Sequence, residues 1–441
     1  MNLPPEFWEA RASLANVRRA AYSRFACPDA VLGAVLARLS AITNHRLYLN
    51  TGVKNPESSL NMFVALVSRS GGGKSSSASV ARKLITTPRF LEKNAEGEVQ
   101  FWDGVPIGSG EGISESFMGW LKRDETTTGP DGEPKRKTVK VRDVVRHNAF
   151  LFVDEGEQLT KINQRNGATI GSTLRSAWNG EAIGNMNASE DRRRLVPEGD
   201  YSLGLLVNFQ MSTAQPMLAD HGPGTPQRFL WLPTDDPRAP EDPPPWTGPL
   251  MDAETASGLH ARTGAVLFAH TITQELRREA VRILRGEPAS TGGNPLDSHK
   301  SLMKAKAAAL LALFDGRDSV AGEDWQLAEL LWLTSCSFRD SVVQWGEEQA
   351  EEERQERESK ITSAQIQRDR KRANKEFDVP KVKHSIHRKL WSEGASLKRA
   401  ALRKAVRSDL REFFDAALGE LVTEGKIVRE DDLSYRATRS P

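Results

Sequence analysis

Residues 62–75 read Met-Phe-Val-Ala-Leu-Val-Ser-Arg-Ser-Gly-Gly-Gly-Lys-Ser, and their reading decides the fold. The apolar run Met62–Val67 has the composition of a strand buried on both faces. Gly71, Gly72 and Gly73 then allow backbone conformations that other residues avoid. Lys74 and Ser75 open a polar, helix-compatible segment that runs to Ile85. In this order, strand, glycine-rich turn and helix start form a loop whose N–H groups wrap a phosphate, and the helix N-terminus adds its positive end. The expectation is that Ser70, Gly71, Gly72, Gly73, Lys74, Ser75 and Ser76 bind a nucleotide. Lys74 would reach the β/γ-phosphates and the Ser75 hydroxyl would hold Mg²⁺. The full pattern, G-x-x-x-x-G-K-[S/T], has a glycine where this chain has Ser68. A flexible Gly/Ser turn with an incidental lysine is the competing reading.

Three further apolar runs follow. Ala149–Val153 ends in Asp154 and Glu155. In ATPases with a phosphate-binding loop, the strand beside the loop's strand ends this way. Asp154 would bind Mg²⁺ through water, and Glu155 would polarise the attacking water as general base. Tyr201–Val207 ends at Asn208, the candidate for holding that water near the γ-phosphate, with Gln210 second. Arg228 stands between the Gly/Pro turn that begins at His221 and the run Phe229–Trp231, where an arginine finger would reach a neighbouring subunit's nucleotide. The bland alternatives are ordinary surface acids, a strand-capping amide and a structural ion pair.

Around this core the chain divides by composition. Residues 1–55 read as a helical N-terminal subdomain, with Pro28-Asp29-Ala30 opening an apolar helix over Val31–Ile42. Residues 56–240 form the core. Within it, Ile113–Leu121 is expected as a helix, and Lys122–Arg146 as an exposed hairpin or flexible insertion, read either as a solvated loop or as a basic hairpin facing DNA. Thr173–Trp178 is a helix, and Arg192, Arg193 and Arg194 form a run that would contact a phosphate backbone or else a solvated turn. The proline-rich stretch 233–250 leads into a helical lid over 241–345, with helices Ala253–Arg285, Leu302–Phe314 and Asp324–Val343. Lys300, Lys304 or Lys306 would either reach back to the nucleotide or be ordinary surface lysines. His299 reads as a helix-start or core polar residue.

Residues 346–378 are almost entirely charged, with opposite charges three or four apart, and read as an exposed helical linker. Residues 379–441 have the order helix, helix, helix, β-ribbon of a winged helix-turn-helix, the third helix spanning Asp409–Glu424. From Lys381 to Arg411 there are ten Lys/Arg against two acids, a net of +8. That concentration points to DNA phosphates through Lys398, Arg399, Arg403, Lys404, Arg407 and Arg411, with Ser408 and Arg411 nearest the groove. A winged helix used for protein contacts is the alternative.

The whole chain of 441 residues carries a net charge of only +2, so any nucleic-acid surface is local. Its two cysteines, Cys27 and Cys336, suggest neither a disulfide framework nor a zinc site, as in a reducing cytoplasm. The opening Met-Asn-Leu-Pro-Pro-Glu-Phe-Trp lacks the pattern of a signal peptide, and no apolar run approaches a membrane span.

Four phrases carry a resemblance: Ser59–Ser75, Thr173–Gly184, Gly224–Pro233 and Asp297–Arg317. Over about residues 5–345 the chain resembles the P-loop helicase-like ATPases of actinobacterial prophages and integrative elements, the helicase half of primase-helicase proteins. The resemblance implies an α/β P-loop NTPase core of RecA/AAA+ type. It further implies use of ATP and Mg²⁺, a homo-oligomer, expected as a hexameric ring, and a role in replicating mobile or phage DNA in the cytoplasm. It does not extend to the C-terminal segment. The leading expectation is a DNA-dependent ATPase of helicase or translocase type. An ATP-switched DNA-binding initiator without unwinding activity, and a degenerate NTPase serving as a scaffold, are the alternatives.

Overall fold

The computed structural model describes residues 2–53, 57–68, 74–93, 99–128, 134–163, 167–186, 194–219, 222, 224–287 and 294–439. The chain divides into two compact units, Met1–Glu347 and Glu348–Pro441. No helix among the described residues is long and apolar enough to cross a membrane.

The first unit is built on a parallel sheet. Numbered in chain order, its strands are β1 (Met62–Ser68), β2 (Phe101–Val105), β3 (Asn148–Val153), β4 (Ser202–Gln210) and β5 (Phe229–Pro233). They lie in the order β2-β3-β4-β1-β5, and every neighbouring pair is parallel. All seven residues of β1 are buried, as are all five of β5. Strands covered on both faces read as unbroken apolar runs, which is why these segments stand out in the sequence. The expectation that β3 lies beside β1 is incorrect. β4 stands between them, pairing with β1 on one side and β3 on the other.

The helix Pro28–Ile42 packs against this sheet, and every one of its residues is buried. Proline at its first turn costs no hydrogen bond, and its small residues let it lie close. A Cβ on Gly33 would come within 2.8 Å of both Leu232 and Val64, and one on Gly204 would meet the Ala37 carbonyl at 1.8 Å. Arg38, buried on this helix, donates to the Ile85 carbonyl, to Asp103 Oδ1 and to Thr87 Oγ1. It thereby ties the helix to edge strand β2. The N-terminal helices share one continuous core with the sheet.

The expected helix Ile113–Leu121 is replaced by a shorter one, Gly110–Glu115, followed by a strand that begins at Met118. Met118–Thr128 pairs antiparallel with Pro134–Val144. The insertion is therefore a β-ribbon, with Leu121 inside its first strand.

The lid region also departs from an all-helical reading. Gly264–Phe268 is a strand, so the stretch Ala253–Arg285, expected to hold helices alone, is helix Ala253–His260, that strand and helix His270–Leu284. It lies between Leu47–Asn50 and Ser319–Val320 in a small parallel sheet. The proline-rich stretch packs back onto the same unit, where Leu250 and Met251 donate to the Leu84 carbonyl and Arg24 stacks over Trp246.

The helix Gly322–Glu393 is continuous for 72 residues. Its first part supplies Trp325, Leu331, Phe338 and Val342 to the first core, and its last turns supply Val379, Val382, Ile386 and Leu390 to the second. Residues 347–369 of it are exposed and rich in charge, with pairs such as Arg357–Glu353 and Lys360–Glu356 four residues apart. Exposed pairs of this kind contribute a few tenths of a kcal/mol each, ~0.3–0.5.

The second unit continues with a short strand Leu397–Lys398, helix Arg399–Ala405, a 3₁₀ turn Ser408–Phe413, helix Phe414–Thr423 and strands Ile427–Arg429 and Ser434–Ala437. The strands form an antiparallel sheet with Ser434–Ala437 in the middle. The third α-helix starts at Phe414 and not at Asp409, because Ser408–Phe413 is wound as the tighter 3₁₀ form.

Candidate active site

The carboxyl ends of β1, β3 and β4 meet at one edge of the sheet, the place where open α/β sheets bind ligands. Val153 lies opposite Val207, so Asp154 comes level with Asn208; Asn208 in turn lies opposite Leu66, two residues before Ser68. Asn208 is buried, and its Nδ2 donates to Asp154 Oδ1 at 2.8 Å. Its Oδ1 is buried without a hydrogen-bond partner among the described residues. A buried amide oxygen left in this way costs about 1–3 kcal/mol unless something completes it.

Asp154 and Glu155 are exposed at the turn between β3 and the helix Gly156–Asn163. Glu155 Oε2 accepts from Gln158 Nε2 at 3.1 Å. Gly156 permits the turn, since a Cβ there would meet Phe209 Cδ1 at 2.3 Å and the Asn208 carbonyl at 2.8 Å. The close approach of these two strand ends therefore depends on a missing side chain.

Ser68, where the full motif has a glycine, is buried and remains in the strand, paired with Gln210. Its backbone is not left-handed, so the position makes no conformational demand for glycine. Ser70, Gly71, Gly72 and Gly73 lie outside the described residues, as do the side chains of Lys74 and Ser75. The helix itself runs Lys74–Leu84, and Ser76 is half-buried in its first turn.

Arg228 does stand at the start of β5, but its head is turned into its own chain. It donates from Nη1 to the Gly224 carbonyl and lies 5.6 Å from the Trp178 ring centre. Burial, together with nearby Arg175, lowers its pKa to about 10. Trp178 is also approached by Lys306, 4.4 Å away, and by the edge of His299. Lys306 is wholly buried and donates to Ser59 Oγ, the Asn61 carbonyl and the Trp178 carbonyl. Three acceptors satisfy its three donors, although burial and the nearby Arg228 charge push its pKa down. The ammonium also faces the carboxyl end of helix Ile170–Asn179, where cations are favoured. Neither it nor Lys304 is a surface lysine: Lys304 is buried and pairs with Glu329, which Lys300 also reaches. His299 stands immediately before helix Lys300–Phe314, at the helix start as expected, without a side-chain capping bond.

Of the expected DNA contacts, Arg192 and Arg193 lie outside the described residues. Arg194 pairs with Glu115, which also holds Arg142. Burial opposes the Glu115 charge, yet these two guanidinium groups keep its carboxyl below its ordinary value. In the second unit much of the +8 is neutralised by acids outside the basic stretch. Lys383 pairs with Glu420 and Glu424, Arg399 with Asp415, and Lys381 with Asp378. Arg407 pairs with Asp409, and Arg411 donates to the Val406 carbonyl. Lys398, Arg403 and Lys404 are exposed.

Two groupings have no local signal in the sequence. One is the Trp178, Arg228 and Lys306 cluster. The other lies at the opposite edge of the sheet, where His45 and His147 stack at 4.3 Å beside Asp200. There His147 Nδ1 already bonds the Asp200 carbonyl at 2.7 Å, and burial lowers the His45 pKa to about 4. A cavity of about 290 Å³ is lined by Val53, Leu276, Ile283 and Leu302 together with the polar Asn179 and Glu181.

No protein-family model matches the chain, and no curated protein is significantly similar to it.

Proposed function

We propose that this chain is a DNA-dependent ATP hydrolase with a RecA/AAA+-like core, a helicase or translocase that works as a ring-forming homo-oligomer on mobile-element or phage DNA. The observation that carries the proposal is the hydrogen bond from Asn208 to Asp154 at the carboxyl edge of the sheet, level with the end of the strand that enters the glycine-rich turn. The donor set fits Mg²⁺ and ATP. Asp154 and Glu155 present hard carboxylate oxygens at an exposed turn, and the Asn208 amide keeps an uncompleted oxygen beside them. In this reading the turn Ser70–Ser76 cradles phosphates, with Ser75 and Asp154 on the metal. The bound metal would neutralise charge on the phosphates being cleaved. Glu155 takes the proton of the attacking water, and Asn208 fixes the Asp154 carboxylate and orients that water. Arg228 would act in trans only after its head leaves Trp178.

That inward-turned Arg228 favours a second reading, an ATP-switched DNA-binding initiator or regulator that does not unwind. ATP turnover, measured with and without single- and double-stranded DNA, tests the proposal. Turnover that rises with DNA supports it, and its absence under every condition contradicts it. ATP-driven strand separation is expected of the first reading, and DNA binding without separation of the second.

A further inference from the structure

The β-ribbon Met118–Thr128/Pro134–Val144 has two unlike faces. Side chains alternate along each strand, and directly opposed residues share a face. One face carries the cross-strand pairs Leu121/Val141, Arg123/Val139 and Glu125/Lys137, together with Asp143. Its charges balance: Arg123 pairs with Asp143 at 3.2 Å, and Glu125 stands opposite Lys137.

The other face carries Trp120/Arg142, Lys122/Lys140, Asp124/Thr138 and Thr126/Arg136. Lys122 and Lys140 are exposed and directly opposed, and neither has a carboxylate partner among the described residues; the same holds for exposed Arg136. The single acid, Asp124, accepts from Thr138. At the base, Trp120 is 46% exposed with the Arg142 guanidinium over its ring, and Arg142 is itself held by Glu115. Like charges placed directly across a ribbon are destabilising. Here the cost is retained on one face while the other is balanced, so the arrangement suits an anion that the chain itself does not supply.

We infer that the Lys122/Lys140/Arg136 face binds the sugar-phosphate backbone of a nucleic acid, with Trp120 placed at its base to receive an unpaired base. The face is linear, successive rows being about 6.8 Å apart along the ribbon, as a repeating polyanion requires and a single small anion does not. Arg142 and Arg194, both held by Glu115, fix the base of the ribbon. The identity of the polyanion rests on the DNA-dependent reading above, but binding at this face does not require ATP turnover.

The test is binding of the full chain, without nucleotide, to a labelled single-stranded oligonucleotide and to its duplex over a range of salt. K122E turns a repulsive cross-strand pair into an attractive one, so it is expected to fold at least as well as wild type. It should weaken binding about tenfold at low salt and reduce the slope of log affinity against log salt by at least about 1. K140E should do the same, whereas K137Q, on the balanced face, should leave both unchanged. Loss confined to the single strand, deepened by W120L, would assign the face to an unpaired strand. Loss on both probes would assign it to the backbone of either form, and both results support the inference. Wild-type binding by K122E and K140E, an equal loss in K137Q, or equally strong competition by polyglutamate would overturn it. A wild-type chain that binds DNA through this face but does not cleave ATP would sink only the hydrolase proposal. DNA-stimulated turnover with undiminished binding by K122E would sink only this one.

Discussion

Asn208 and Asp154 are 54 residues apart in sequence and 2.8 Å apart in space, joined at the ends of adjacent parallel strands. The amide is buried and the carboxylate is at the surface, so the bond holds an exposed acid from a fixed interior point. Asn208→Ala removes that anchor and the uncompleted oxygen together. We expect turnover to fall about 100-fold, on the scale of losing one positioned polar group in an active site, while nucleotide binding is kept. Rapid-quench turnover and equilibrium nucleotide binding would check this, and unchanged turnover would remove Asn208 from the chemistry.

Lys306 connects helix Lys300–Phe314 to the end of helix Ile170–Asn179 through three acceptors. Lys306→Met fills similar space but leaves the Asn61 carbonyl with no replacement donor. A loss of about 1–3 kcal/mol in denaturant unfolding is expected. No change would mean that the cost of burying the ammonium cancels its hydrogen bonds.

Asp29 is fully buried, and burial raises its carboxyl pKa to about 7 even though Oδ2 accepts from the Leu3 N–H. Between about pH 4 and that value the folded chain keeps a proton that the unfolded chain has released. Stability from this group is therefore full at acid pH and falls as pH rises toward about 7. Asp29→Asn preserves an acceptor for Leu3 without the ionisation. Its melting temperature should depend less on pH across this window and exceed that of wild type at pH 8. Identical pH profiles for the two proteins would contradict the assignment.

Four strands of the central sheet, β1, β3, β4 and β5, are legible in sequence because burial on both faces leaves them as apolar runs; edge strand β2, Phe-Trp-Asp-Gly-Val with only Phe101 buried, carries no such run. Their order is not, because pairing leaves no periodic trace, and β4 between β1 and β3 had to be seen. Met118 and Leu121 fit a helical apolar pattern, yet Met118 is buried at the foot of a ribbon and Leu121 lies along it. The strand Gly264–Phe268 sits inside a stretch of helix-like composition, with Gly264 at φ +93° as its one local mark. The charge of the C-terminal unit is likewise redistributed by the fold. A net of +8 counted along the chain omits Asp415, Glu420 and Glu424, which the fold brings back onto Arg399 and Lys383. Lys304 and Lys306 look like solvent residues until their helix is packed and both are enclosed.

Glu155→Gln, measured for both nucleotide binding and phosphate release, tests ATP hydrolysis at this sheet edge most directly. Glu155 is exposed and its carboxylate accepts from the neighbouring Gln158, so the fold should survive the change. The variant should bind ATP with Mg²⁺ as wild type does, while turnover falls by about 100-fold or more, the share assigned to a general base. Turnover near the wild-type rate, with binding intact, would contradict it.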